Sequence, residues 1–95
     1  MAQHTRESVA DWLKQTLIDE HLVLPTQIRD DAQLEDLGLD SLDAVELELA
    51  IEERYELHLA DGTIGTADTF KALVDLVASQ LQEAGDLAPD AAAAP

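Results

Sequence analysis

The sequence predicts an all-α fold, a small bundle of three main helices plus one short helix or turn, and three observations carry that prediction. Apolar residues recur at helical spacing in three separate stretches. The core-forming side chains are nearly all aliphatic: 46% of the chain is hydrophobic, yet Trp12, Tyr55 and Phe70 are its only aromatics. Cysteine is absent, so packing has no disulfide scaffold to lean on and the protein supplies no thiolate of its own. Ninety-five residues suffice for one small domain.

The first helix is expected over Thr5 to Asp19, with Thr5 as its N-cap. Val9, Trp12, Leu13, Thr16 and Leu17 fall on one face at the i, i+3, i+4, i+7, i+8 pattern. His21 to Leu39 reads as a long connection containing Pro25, and a connection of that length is either functional or held to the core. Leu22, Leu24, Ile28, Leu34 and Leu37 are the side chains expected to hold it, and Gly38 allows a sharp turn into Asp40 and Ser41.

A second helix is expected from Ser41 to Tyr55, opened by Asp40 and by Asp43 in its first turn. Ala44, Leu47, Ile51 and Tyr55 share its core face, while Leu42, Val45 and Leu49 lie nearly opposite, among Glu46, Glu52, Glu53 and Glu56. Leu57 to Asp68 forms a second connection, broken by Gly62 and Gly65 and holding one short helical turn. The last helix then starts near Thr66 or Asp68 and buries Phe70, Leu73, Val74, Val77 and Leu81. The folded domain is expected over residues 1–85, and residues 86–95, rich in Ala and Pro, as a disordered tail.

Charge narrows the function. Twenty-one acidic residues against five basic ones give a net charge of -16, a field that opposes nucleic acid and anionic membranes and attracts basic partners. Twelve of the acids lie between Asp30 and Asp61, so the charge gathers around Ser41 and the helix after it. Exposed leucines ringed by carboxylates are what a docking face for a basic partner requires. No apolar run approaches the ~20 residues needed to span a bilayer, and the N-terminus lacks the basic-then-apolar order of a signal peptide. A cytoplasmic monomer is the expectation.

Catalytic chemistry is poorly provided for. A serine nucleophile needs a positioned base, and the three histidines, His4, His21 and His58, sit at a terminus or in loops with no acidic orienter evident. The Gly-x-Ser-x-Gly elbow is missing. Calcium-loop order is missing from the acidic pairs, and no zinc ligand set is visible among scattered histidines, so no metal site is expected. What stands out is Ser41 itself, a hydroxyl at a helix N-terminus where backbone N–H groups and the helix dipole favour a phosphate.

The run Leu34-Glu35-Asp36-Leu37-Gly38-Leu39-Asp40-Ser41-Leu42-Asp43-Ala44-Val45-Glu46-Leu47 closely resembles the modification site of acyl carrier proteins. The likeness continues through Ile51-Glu52-Glu53-Arg54-Tyr55 and Thr69-Phe70-Lys71-Ala72-Leu73-Val74-Asp75-Leu76-Val77, and covers roughly residues 6 to 82. This resemblance implies that Ser41 is esterified by 4′-phosphopantetheine from coenzyme A, through a phosphopantetheinyl transferase. The thiol of that arm would hold acyl groups as thioesters. It implies no enzyme activity for the chain, and partners that load, extend or transfer acyl groups through basic docking patches. The second helix would be the recognition element, with Asp40, Leu42, Glu46, Leu49, Glu52 and Glu53 as partner-binding residues. Growing acyl chains would fold back between the helices beside Ala44.

Departures from the fatty-acid-synthesis carriers lie at Leu39, at Glu48 where an aliphatic residue is usual, at Ala60 in place of a common proline, and in the less acidic run from Gly62 to Thr66. None touches the attachment chemistry, and all bear on which partners are recognised. A discrete carrier for fatty-acid, polyketide or another specialised pathway fits, and a peptidyl carrier fits less well. The alternative is an unloaded acidic adaptor that binds partner enzymes through its second helix.

Overall fold

Each helix begins where a side chain can answer its first unpaired amides, in this computed structural model, which describes residues 4–88. Helix α1 (Arg6–His21) opens on a reciprocal cap: Ser8 N–H donates to Thr5 Oγ1 at 3.0 Å, and Thr5 N–H to Ser8 Oγ at 2.9 Å. Helix α2 (Ser41–Tyr55) repeats the device with Asp40 and Asp43, and α3 (Phe70–Glu83) starts on Thr69, which accepts from Ala72 N–H at 3.1 Å. Among the described residues there is no strand, and the core lies between these three helices.

The faces predicted for α2 and α3 are the buried ones. Ala44, Leu47, Ile51 and Tyr55 meet Phe70, Leu73, Val74, Val77 and Leu81 in a core that also takes Val9, Leu13 and Leu17 of α1. Trp12 and Thr16, expected in the same stripe, are only half-buried. The Thr16 hydroxyl donates back to the Trp12 carbonyl at 2.8 Å, and the Trp12 ring stands edge-on to Tyr55 with centroids 5.4 Å apart. Helix α3 starts later than the sequence suggested, because Thr69 rather than Thr66 or Asp68 supplies the cap.

The first connection corrects the sequence reading at two leucines. Helix α1 runs on to His21 and closes with Leu22 in the left-handed region, at φ 57, its N–H bonded to the Leu17 carbonyl. That reversal sends Leu22 into solvent at 83% exposure and brings Val23 into the core. Leu24, two residues along an extended stretch, faces outward like Leu22. Ile28, Leu34 and Leu37 hold the connection as expected, and Val23 and Leu39 join them in place of the two exposed leucines.

The short helical element also falls elsewhere. Two 3₁₀ turns, Pro25–Gln27 and Leu34–Leu37, lie in the first connection, whereas 57–68 contains only turns. Gln33 N–H donates to Asp36 Oδ2 and starts the second of them, and Gly38, at φ 85, ends it. A side chain at Gly38 would meet no neighbour within 4 Å, so the glycine is there for its backbone angle. Residues 32–35 are then laced to the approach of α3: Leu34 N–H to Asp68 O, Glu35 N–H to Thr66 O and Phe70 N–H to Ala32 O, all at 2.9–3.0 Å.

Gly85 closes α3, and the chain turns back on the N-terminus, where His4 N–H donates to Asp86 O and a parallel bridge joins His4 to Leu87. Of the tail expected over 86–95, Asp86 to Ala88 are therefore hydrogen-bonded to the domain, and residues 89–95 lie outside the described residues.

Candidate functional site

Ser41 is the first residue of α2, exposed, immediately after the left-handed turn at Gly38 and the buried anchor of Leu39. Asp40 Oδ1 accepts from Asp43 N–H at 2.9 Å and Asp43 Oδ2 from Asp40 N–H at 3.0 Å. The amides of Ser41 and Leu42 have no protein acceptor among the described residues, so they remain open toward an anion at the positive end of the helix. The lacing of residues 32–35 to 66–70 holds this corner from behind. The Ser41 hydroxyl has no hydrogen-bonded base among the described residues.

The Asp43 carboxyl is held below its ordinary value: the amide of Asp40 stabilises the anion most, burial opposes it, and the Asp40 side chain and His21 add smaller pulls in the same downward direction. His21 is therefore not without an acidic neighbour, as the sequence suggested. Its Nδ1 stands 3.4 Å from Asp43 Oδ1, a contact between the end of α1 and the start of α2 that no local pattern encodes.

Along α2 the expected docking residues separate into two groups. Leu42 and Leu49 project into solvent at 65% and 59% exposure, and Val45 is exposed with them. Glu46 and Glu53 flank them as exposed carboxylates. Glu52 differs: it is half-buried, its Oε2 accepts the Leu59 amide at 2.9 Å, and it lies 3.8 Å from His58 Nδ1. Part of its charge is thus committed to holding the loop after α2.

Glu48 stood out in the sequence only as a departure from the fatty-acid carriers, and its structural role is new here. It is 5% exposed, the single buried charged side chain among the described residues, and its Oε1 accepts the Ile64 amide at 2.8 Å. The signal was there in the spacing, since Ala44, Leu47, Glu48, Ile51 and Tyr55 form one continuous face. Glu48 and Glu52 together satisfy two backbone amides of the glycine-containing loop, which therefore needs no helical turn of its own.

Comparisons with known proteins agree with this geometry. A family model described as "Phosphopantetheine attachment site" matches residues 7–77. The chain is 36% identical over 67 residues to an acyl carrier protein of Sulfurovum, covering 63% of this chain and 89% of that protein. It is 38% identical over 55 residues to an acyl carrier protein of Campylobacter fetus, covering 57% of this chain and 71% of that protein. It is 45% identical over 74 residues to a segment of the 5-methylorsellinic acid synthase of Aspergillus terreus, covering 77% of this chain and 3% of the synthase.

The chain belongs to the phosphopantetheine-attachment family and is an acyl carrier protein. Its cofactor is 4′-phosphopantetheine, carried covalently, and it is a carrier, not an enzyme. Membership implies exchange with synthases, acyltransferases and a phosphopantetheinyl transferase. Among the described residues no helix is long and apolar enough to cross a membrane.

Proposed function

We propose that Ser41 is the attachment residue and that the chain delivers acyl thioesters to enzymes that dock on α2. The observation that carries this reading is the exposed Ser41 hydroxyl at the N-terminus of α2, beside two open amides and clear of any competing base. These residues fit the group: the amides of Ser41 and Leu42, without an acceptor among the described residues, would hold a phosphodiester attached at Ser41. When bound, the arm supplies a thiol that keeps an acyl carbon activated as a thioester. The chain's own residues hold that attachment point at a fixed corner, and tethering raises the local concentration of cargo at each partner.

Leu42, Val45 and Leu49 give partners an apolar strip, and Asp40, Glu46 and Glu53 give them a negative rim that draws basic patches in. Glu52 contributes its remaining charge to that rim while holding Leu59. Identity to a segment of 5-methylorsellinic acid synthase, higher than to the carriers compared, supports a polyketide-type or other specialised pathway beside fatty-acid synthesis.

Intact-protein mass after incubation with coenzyme A and a broad-specificity phosphopantetheinyl transferase tests the assignment. Wild type is expected to gain one phosphopantetheinyl group, and Ser41→Ala none, with helical content unchanged. Loading of the alanine variant would place the attachment elsewhere. A folded wild type that several transferases leave unloaded would favour the adaptor reading instead.

A further inference from the structure

We propose that Leu22 and Leu24, just beyond the end of α1, form a second docking contact for the enzymes that approach Ser41, received by an apolar pocket with a basic border. The proposal rests on the reading that partners dock along α2, and adds to it a contact on another segment.

Exposure is the first observation. Leu22 is 83% exposed and Leu24 60%, while Val23 between them is in the core. Among the described residues the other large apolar side chains in solvent are Leu42, Val45 and Leu49, all on α2. The two segments converge. His21 Nδ1 stands 3.4 Å from Asp43 Oδ1, and these two residues are the chain neighbours of Leu22 and Leu42. The leucine pair therefore starts at the end of the bundle that carries Ser41.

The backbone supplies the second observation. Leu22 closes α1 at φ 57 and ψ 31, a conformation that strains an L-residue and that glycine takes freely. Glu56 closes α2 in the same region, at φ 53, but with a carboxylate that water solvates. At Leu22 the strain comes with an apolar side chain left in water, so neither the helix end nor the core accounts for a leucine there.

Charge names the partner. No Lys or Arg occurs between Lys14 and Arg29, and Asp19 and Glu20 stand exposed in the last turn of α1, where the helix dipole favours cations instead. Asp19 and Glu20 share a groove between α1 and α2 with Glu46, so the border of the leucines is negative and continuous with the rim of α2. That border repels an anionic membrane and a second copy of a chain with net charge -16, and it attracts a protein pocket edged by Lys and Arg.

Affinity of the full chain for a broad-specificity phosphopantetheinyl transferase, measured calorimetrically without coenzyme A, is the test. The double variant Leu22→Gly, Leu24→Ser is expected to bind at least about fivefold more weakly than wild type, with an equal or higher Tm. Its loss should persist at high salt, whereas the loss in Glu53→Lys should fade, because the first contact is apolar and the second electrostatic. Equal affinity of wild type and the folded double variant, or no binding by wild type, would overturn the proposal. So would self-association of wild type, or its flotation with phosphatidylcholine vesicles, that the double variant abolishes, since either gives the leucines another occupant. Should the double variant lose its helical signal, Leu24→Ser alone decides: binding weakened about threefold supports the contact, and unchanged binding refutes it. A chain that binds but is not loaded counts against Ser41 alone, because affinity is read without coenzyme A. Unchanged affinity in Glu53→Lys counts against the rim of α2, so the failures are told apart.

Discussion

Glu48 Oε1 accepts the Ile64 amide at 2.8 Å from inside the core face of α2, so a carboxylate stands where the fold otherwise places aliphatic side chains. The bond ties the middle of α2 to the loop that leads into α3. Removing the acceptor leaves a buried N–H without a partner, which costs about 1–3 kcal/mol. Glu48→Ala is therefore expected to be destabilised by that amount in denaturant titrations and to accelerate hydrogen exchange at the Ile64 amide. Glu48→Gln, which keeps an acceptor, should restore most of the protection. Equal exchange at Ile64 in wild type and Glu48→Ala would show that the bond holds nothing.

Leu22 ends α1 in the left-handed region while exposing a large apolar side chain. An L-residue there carries about 1–2 kcal/mol of strain, partly offset in glycine by its greater freedom in the unfolded chain. Leu22→Gly should therefore stabilise the domain by about 0.5–1 kcal/mol and raise Tm by roughly 2–8 °C. A lower Tm would mean that Leu22 contributes packing the structure does not show.

Tyr55 is the sole tyrosine, so its ionisation is read directly from phenolate absorbance. Burial raises its pKa above 10.0, against a smaller opposing pull from Arg54. The folded state holds the phenol proton more tightly than the unfolded state does. The resulting stability is full below the ordinary value of 10.0 and is lost as pH rises through the folded value. The absorbance midpoint should lie above 10.0 in native protein and return to about 10 in strong denaturant. A native midpoint at or below the denatured one would contradict the burial of the ring between α1 and α2.

Charge reversal at the rim of α2 should act on encounter more than on fold. Glu53 is exposed and makes no ion pair among the described residues, so Glu53→Lys should leave the thermal transition within about 0.5 kcal/mol of wild type. Association with the transferase should slow, and its dependence on ionic strength should flatten. Unchanged rates at low salt would remove Glu53 from the docking face.

Much of this was legible in the sequence because periodicity is a local signal. The bounds of α2, its core face and the buried stripe of α3 follow from spacing, and the Asp40–Ser41–Leu42 corner follows from capping chemistry. Leu22 and Leu24 were misplaced because the handedness of a helix end depends on a whole turn, not on the apolarity of its residues. The sequence marks Glu48 as unusual but not as buried, because a carboxylate on an acidic helix reads as surface until its partner, sixteen residues on, is in place. His21 and Asp43 are twenty-two residues apart, and only the packing of α1 on α2 brings them together.

The edge-on contact of Trp12 and Tyr55 has an optical consequence. Each ring is the only one of its kind in the chain, and their centroids lie 5.4 Å apart, one on α1 and one at the end of α2. At that separation light absorbed by the tyrosine is emitted by the tryptophan. Tyrosine emission returns only when the two rings part widely, so the protein carries its own reporter of large separations of α1 from α2.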